Sequence, residues 1–235
     1  MAGRRKNPAF SLDPAVSSGV LLAFVYDKAL AWLRALKLFR TRRSLLLFCG
    51  KGLRLRGQSR AHFGKAVQLG DYVSITAWGK EGLFIGDYSW IGGHSCLKVS
   101  FSFNDPGRFI RIGRHVGIGE FAHLGGAGGL SIGDDCIIGP YLSCHPENHR
   151  FPDMDALIRL QGTERRGIHI GRNCWIGAKV TILDGVSIGD NCVIAAGAVV
   201  NKDMPANAVI GGVPARVIKI RSEEQKQDRW TSQSA

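Results

Sequence analysis

A six-residue spacing of large aliphatic residues dominates the hydrophobic pattern of this chain. The spacing is regular at Ile112, Ile118, Ile132, Ile138, Ile170, Ile176, Ile182, Ile188 and Ile194. Most of these isoleucines are followed directly by glycine. A period of six fits neither a helix face, which repeats every 3.6 residues, nor an unbroken strand, which alternates every two. It predicts a solenoid of short flat sides, each placing one aliphatic side chain in a central stack and turning at a small residue.

Two segments interrupt the repeats, which begin loosely near Leu69. Residues 98–109 are rich in turn-forming residues, and residues 145–167 form a longer excursion that carries His145 and His149. Long loops that leave a regular scaffold commonly carry function. We therefore expect the chemistry of the protein at the second excursion.

One sustained helical pattern precedes the repeats, over residues 14–40. Its apolar stripe consists of Leu22, Val25, Ala29, Leu33 and Leu36. A short helix is also expected after Arg216, where the repeats have ended. The fold class predicted is dominated by β-structure, with three segments: a basic N-terminal arm, helix and lead-in strand (1–65), the β-helix with its excursion (66–209), and a C-terminal cap and tail (210–235).

Positive charge is concentrated at the N-terminus. The chain carries a net charge of +12, and residues 1–65 hold 14 Lys and Arg against only Asp13 and Asp27. Interleaved apolar residues favour an anionic membrane surface or a protein partner over nucleic acid. The longest uncharged run, Pro14 to Tyr26, is shorter than the ~20 residues that span a bilayer, and no signal-peptide cleavage site follows it. The helix within residues 14–43 either contacts such a membrane or caps the open end of the solenoid.

The six cysteines do not have the spacing of a disulfide framework or a zinc site. Cys136, Cys174 and Cys192 each follow a repeat isoleucine by four residues, in a slot that valine or alanine fills elsewhere. They are predicted to be small buried side chains. A reducing, cytoplasmic location is the simplest expectation.

The C-terminal repeats carry a more specific signature. Residues 168–178 read Ile-His-Ile-Gly-Arg-Asn-Cys-Trp-Ile-Gly-Ala, and residues 211–218 read Gly-Gly-Val-Pro-Ala-Arg-Val-Ile. With Asn-Lys-Asp-Met-Pro between them, these motifs resemble the hexapeptide-repeat O-acetyltransferases of galactosides, maltose and surface polysaccharides. The resemblance covers about residues 85–220. It implies a left-handed parallel β-helix, a homotrimer, a sugar or glycan acceptor, and acetyl-CoA, without a metal, bound between adjacent subunits.

The resemblance also implies a catalytic histidine. The general base of the family opens the long loop and removes the proton of a sugar hydroxyl as it attacks the thioester. Counting without gaps from Leu142 leads to His149, and the Cys-His-Pro sequence makes His145 the competing candidate. A loop histidine that only makes hydrogen bonds is the simpler alternative.

Further residues are assigned to coenzyme A by the same motifs. Trp175 would lie against the acyl group, and Ala178 and Ala196 would line the pantetheine arm. The nucleotide end would meet three residues, Asn201, Lys202 and Arg216. Most relatives have threonine at the position of Asn201. Without these motifs, Lys202 and Arg216 would be interpreted as ordinary surface charges, and Trp175 as an isolated exposed aromatic residue.

Two other functions remain open at the level of sequence. Hexapeptide solenoids also include zinc carbonic anhydrases, and His145 and His149 could form a three-histidine site with His123 or His115. A non-catalytic trimeric scaffold docked to a membrane would need only the solenoid and the basic helix. The motifs favour an O-acetyltransferase that modifies a surface polysaccharide or its precursor, cytoplasmic or peripheral at the inner face of the membrane.

Overall fold

The computed structural model describes residues 12–39, 47–100 and 102–221. The predicted basic arm and the C-terminal tail beyond Arg221 lie outside these ranges. One helix, α1 (Ser18–Phe39), precedes a continuous series of short strands. The helix confirms the predicted helical segment, and the six-residue repeats that follow are strands, as predicted.

The strands follow one another around three parallel faces, here called A, B and C. Face A contains β1 (Phe48–Cys49), β4 (Gln68–Leu69), β7 (Trp90–Ile91), β10 (Gly117–Ile118), β13 (Ile137–Ile138), β18 (Trp175–Ile176), β21 (Val193–Ile194), β23 (Ala208–Gly212) and β24 (Ala215–Ile220). Face B contains β2 (Arg54–Arg56), β5 (Ser74–Thr76), β8 (Cys96–Lys98), β11 (His123–Gly125), β14 (Ser143–His145), β19 (Thr181–Leu183) and β22 (Val199–Val200).

Face C completes each turn of the chain. It contains β3 (Ala61–Phe63), β6 (Gly82–Ile85), β9 (Phe109–Ile112), β12 (Leu130–Ile132), β17 (Ile168–Ile170) and β20 (Ser187–Ile188). A separate antiparallel pair, β15 (Asn148–His149) and β16 (Thr163–Glu164), lies within the second excursion. Single 3-10 turns occur at Gln58–Arg60 and Ile158–Leu160. The architecture is a parallel β-helix, as the six-residue period predicted.

The repeat isoleucines form the interior of this β-helix. Ile118, Ile138 and Ile176 stack in register along face A, and each is at most 4% exposed. Parallel strands buried by a common core are built from such aliphatic positions. The cysteine prediction is also confirmed, since Cys136 and Cys192 are fully buried. Burial raises the pKa of a third cysteine, Cys144, to about 12 and keeps its thiol neutral.

Glycine follows the repeat isoleucines because successive coils touch through their backbones at the corners. A Cβ atom added to Gly119 would lie 2.5 Å from the backbone nitrogen of Pro140 in the next coil. A side chain at this position would force the coils apart. The glycine positions in the repeat therefore set the spacing between coils.

The β-helix begins earlier than the sequence pattern indicated. Its first coil starts at Phe48, so residues 48–65 belong to the solenoid although their aliphatic spacing is irregular. The C-terminal half of α1 packs across this coil: Ala35 is fully buried, and the Arg34 guanidinium donates to the carbonyl of Cys49. This half of the helix caps the open end of the solenoid.

The stripe predicted along α1 is not its packed face. Leu22, Val25 and Leu33 are 71%, 61% and 51% exposed. The periodicity identified the helix but gave the wrong contact surface, because the helix crosses the end of the solenoid instead of lying along it. Only its second half therefore meets the first coil.

The C-terminal segment also differs from the expectation. Where a short helix was predicted after Arg216, the strand β24 pairs antiparallel with β23 and extends face A as a hairpin. The pairing satisfies the exposed backbone of the edge strand. Any helix beyond Arg221 lies outside the described residues.

Two glycines in one coil offer a test of coil spacing. Gly119→Ala should lower the free energy of unfolding by ~1–3 kcal/mol, because the added methyl group meets the next backbone. Gly117→Ala is the matched control, since nothing lies within 4 Å of its added Cβ. Chemical denaturation of both variants measures the difference, and equal losses would show that the contact at Gly119 does not limit coil spacing.

Candidate active site

Both predicted excursions leave the β-helix at the same corner, between faces B and C. Residues 98–109 connect β8 to β9, and residues 145–167 connect β14 to β17. One coil with a short turn lies between them. The two segments therefore leave the same side of the β-helix, two coils apart.

A cleft with a volume of about 280 Å³ combines three imidazoles with one carboxylate. Its lining residues are His123, Gly125, Ala127, Cys144, His145, Pro146, Glu147 and His149. Both histidines predicted as the general base are among them. The candidate chemistry is thus collected in one place by neighbouring coils of face B.

His145 is held by the regular scaffold. It ends β14, next to the fully buried Cys144, and its Nε2 atom lies 2.7 Å from the Oγ atom of Ser143. The rings of His123 and His145 are stacked, with their centroids 5.5 Å apart. A hydrogen bond and a stacking contact therefore orient this imidazole before any ligand arrives.

His123 lies in an environment that disfavours its charged form. Burial lowers its pKa, and the neighbouring His145 and Lys98 lower it further, because a second positive charge there is unfavourable.

His149 lies on the excursion itself. It belongs to β15, opposite Thr163 of β16, and its side chain is exposed at the mouth of the cleft. Only a two-stranded pairing fixes its backbone. The structure brings His149 and His145 into the same cleft, but only His145 lies on a strand of the β-helix and contacts its neighbouring side chains.

An arginine joins the two excursions. The guanidinium of Arg165 contacts Glu147 in the second excursion (Nε to Oε2, 2.5 Å) and Asp105 in the first (Nη1 to Oδ2, 2.7 Å). The Arg165 side chain is only 19% exposed, so this bridge is shielded more than an ordinary surface ion pair. It holds the Glu147 carboxylate at the cleft.

The residues predicted to bind coenzyme A lie on other parts of the solenoid. Trp175 projects from face A, 59% exposed, between Ile137 and Val193 of the adjacent strands. Ala178 and Ala196 follow at the corner between faces A and B in consecutive coils. The structure brings these two alanines together, with the backbones of their coils in contact beside Gly177.

The candidates for the nucleotide end are at the C-terminal end of the solenoid. Asn201 and Lys202 follow β22 and are exposed. Arg216 is exposed on β24, and its guanidinium donates to the carbonyl of Ala215. Within one chain these residues and Trp175 do not meet the histidine cleft.

A metal site is not formed by the described part of the chain. No group of three or more His, Cys, Asp and Glu side chains there has an arrangement that could hold a metal ion. Of the histidines considered for zinc, His115 stacks on Tyr88 at the corner between faces C and A, away from the cleft. His123 and His145 stack on each other.

Sequence reasoning missed the residues that position the candidate base. Ser143 stands two residues before His145, and alternation along a strand could have placed both side chains on one face. Glu147 follows the Cys-His-Pro sequence directly. No sequence signal links Arg165 to Asp105, which are 60 residues apart.

Comparison with known proteins finds similarity to one family of transferases. Residues 167–202 match the family model described as bacterial transferase hexapeptide (six repeats). Galactoside O-acetyltransferase of Escherichia coli is 34% identical over 146 residues, which is 60% of this chain and 66% of that protein. WbbJ of the same organism, named as a candidate lipopolysaccharide biosynthesis O-acetyl transferase, is 31% identical over 119 residues, or 48% of this chain and 61% of WbbJ. The chain is therefore similar to hexapeptide-repeat transferases, and it spans less than two thirds of the length of either relative.

A solved structure confirms the fold class. AntD, an N-acyltransferase of Bacillus cereus crystallised as a mutant with dTDP and coenzyme A, superposes with a TM-score of 0.57. The alignment covers 74% of this chain and 92% of AntD at 21% sequence identity. At that identity the likeness supports the left-handed β-helix alone.

The arginine bridge can be tested by loop mobility. Arg165→Met should increase the rate of chymotrypsin cleavage in the second excursion, at exposed sites such as Phe151 and Leu160. The substitution keeps the aliphatic length and removes both ion pairs. Arg166→Met is the control, since that side chain is 75% exposed and its pair with Glu164 is longer, at 3.4 Å. Equal cleavage of both variants would show that the ion pairs of Arg165 do not restrict the motion of the second excursion.

The lowered pKa of His123 predicts acid sensitivity of the fold. The unfolded chain binds a proton on this ring that the folded chain resists, so stability should fall as the pH drops below about 6.5. His123→Gln should reduce the difference in unfolding midpoint between about pH 7.5 and about pH 5.5. His169→Gln, an outward ring hydrogen-bonded to Ser131, is the control. An unchanged pH dependence in the His123 variant would refute the assignment.

Proposed function

We propose that this protein is an acetyl-CoA-dependent O-acetyltransferase that modifies a sugar hydroxyl, in a surface polysaccharide or its precursor. The observation that carries the proposal is an oriented imidazole, His145, in a cleft whose second ring, His123, resists protonation. Such a pair suits general-base chemistry near neutral pH. The relatives named as galactoside and lipopolysaccharide O-acetyltransferases support the class of acceptor.

His145 is the proposed base. It accepts the proton of the acceptor hydroxyl as the oxygen attacks the thioester carbonyl of acetyl-CoA. The new C–O bond forms, the C–S bond breaks, and the imidazolium returns its proton to the departing thiolate. A base fixed by Ser143 and by the stacked His123 needs little rearrangement before this step, and that pre-orientation favours it over His149.

The carboxylate of Glu147 gives the cleft a second function. It lies beside His145, and sugar hydroxyls are donors that an ionised carboxylate accepts. Held by Arg165, Glu147 is the proposed acceptor-binding group. His149, at the mouth, is the proposed partner for a further hydroxyl of the glycan.

The donor site is proposed to form between chains. Trp175, Ala178 and Ala196 lie around face A and its corner with face B, whereas the histidine cleft opens at the other corner of face B. A homotrimer that places this surface of one copy over the cleft of the next would complete the site. Exposed apolar side chains along face A, Ile137 and Trp175, support such a contact.

Two histidine variants test the proposed base. His145→Gln should reduce acetyl transfer from acetyl-CoA to a glycan acceptor by ~10²–10⁴-fold, because it removes the proton acceptor. His149→Gln should act mainly on the Michaelis constant of the acceptor. The measurement is initial-rate kinetics on a panel of nucleotide sugars and lipid-linked glycans, with coenzyme A release as the readout.

Each outcome has a separate meaning. If His149→Gln abolishes turnover and His145→Gln does not, the base is His149. If both variants keep full activity, the general-base mechanism is wrong. Unfolding midpoints of both variants, expected to match the parent protein, exclude loss of structure as the cause.

A further inference from the structure

The N-terminal half of α1 extends beyond the solenoid that its C-terminal half caps. Residues 18–27 contain no buried side chain. Their large apolar members are strongly exposed: Val20 60%, Leu22 71%, Phe24 58%, Val25 61% and Tyr26 63%. Because these residues are consecutive or nearly so, they cover every side of the helix and not one stripe.

A helix segment that is apolar on all sides needs an apolar environment. The run from Val20 to Tyr26 covers about two turns, or ~10 Å of helix. The described residues contain no helix that is long and apolar enough to cross a membrane.

Positive charge surrounds the same end of the molecule. Residues 48–65 expose five cations and no acidic residue: Lys51, Arg54, Arg56, Arg60 and Lys65. The sequence has no acidic residue between Asp27 and Asp71. Among the described residues, every ion pair lies between residues 80 and 190, so these cations are not neutralised by salt bridges within that part of the chain.

We propose that the exposed half of α1 and the basic first coil form a docking surface for an anionic lipid membrane. A lipid leaflet offers both an apolar layer for Leu22 and Phe24 and negative headgroups for the arginines beside them. A second copy of this chain would bring the same positive charge to the contact and be repelled. The inference does not depend on the proposed acetyl transfer.

The test is co-sedimentation of the full chain with vesicles. The protein should bind vesicles of phosphatidylcholine mixed with phosphatidylglycerol, and high salt should release most of it, because headgroup attraction is screened. Vesicles of phosphatidylcholine alone should bind far less. Leu22→Asn/Val25→Asn should reduce binding by ~10-fold or more through lost apolar insertion. Leu160→Asn, a similarly exposed leucine in the second excursion, is the apolar control.

A charge pair completes the design. Arg54→Gln/Arg56→Gln should weaken binding by ~10-fold or more, since each cation near the surface contributes ~1 kcal/mol. Arg166→Gln/Arg172→Gln removes the same net charge at exposed positions of the later coils and should bind as the parent does.

Three results would overturn the proposal. One is the absence of binding to anionic vesicles, and another is equal loss in the test and control variants. The third is unchanged binding of Leu22→Asn/Val25→Asn together with a smaller oligomer in size-exclusion chromatography, which would assign the helix to a second copy. All the substituted side chains are exposed, so thermal unfolding should match that of the parent.

Discussion

Backbone contact between successive coils is the constraint on which the rest of this structure depends. At each corner a glycine such as Gly119 lies so close to the next coil that a methyl group has no space. The short spacing allows parallel ladders on all three faces, and these ladders place one aliphatic side chain per side in the core. Every coil must therefore repeat the path of the one before it. A rigid repeat of this kind fixes the position of any residue that projects from it.

The candidate site follows from that regularity. Insertions are tolerated where they leave the ladder intact, and both long insertions occur at the corner between faces B and C. Equal coils then align the two excursions above His123 and His145, although these residues belong to different coils. The ion pair between Arg165 and Asp105 connects the two loops. The strands of the β-helix thus fix the positions of the two histidines, and the loops add the charged side chains of the site.

The N-terminus has a different physical character from the solenoid. Residues 66–235 hold equal numbers of basic and acidic residues, and the excess positive charge of the chain lies in residues 1–65. The solenoid buries its aliphatic residues, whereas the N-terminal half of the preceding helix exposes them. The two halves of this helix have different surroundings. Ala35 packs on the first coil, and Leu22 lies beyond it.

The sequence by itself determined the β-helix, the excursions, the burial of Cys136 and Cys192, and the two candidate histidines, His145 and His149. These follow from local periodicity and motifs, which depend on neighbours along the chain. Only the tertiary structure decided that Ser143 and His123 orient His145, that Arg165 meets Asp105 across 60 residues, and that the stripe containing Leu22 faces outward. The reason is geometric. Contacts between coils join residues that are far apart in the sequence. The helix crosses the end of the solenoid, so only the part of it above the first coil is packed.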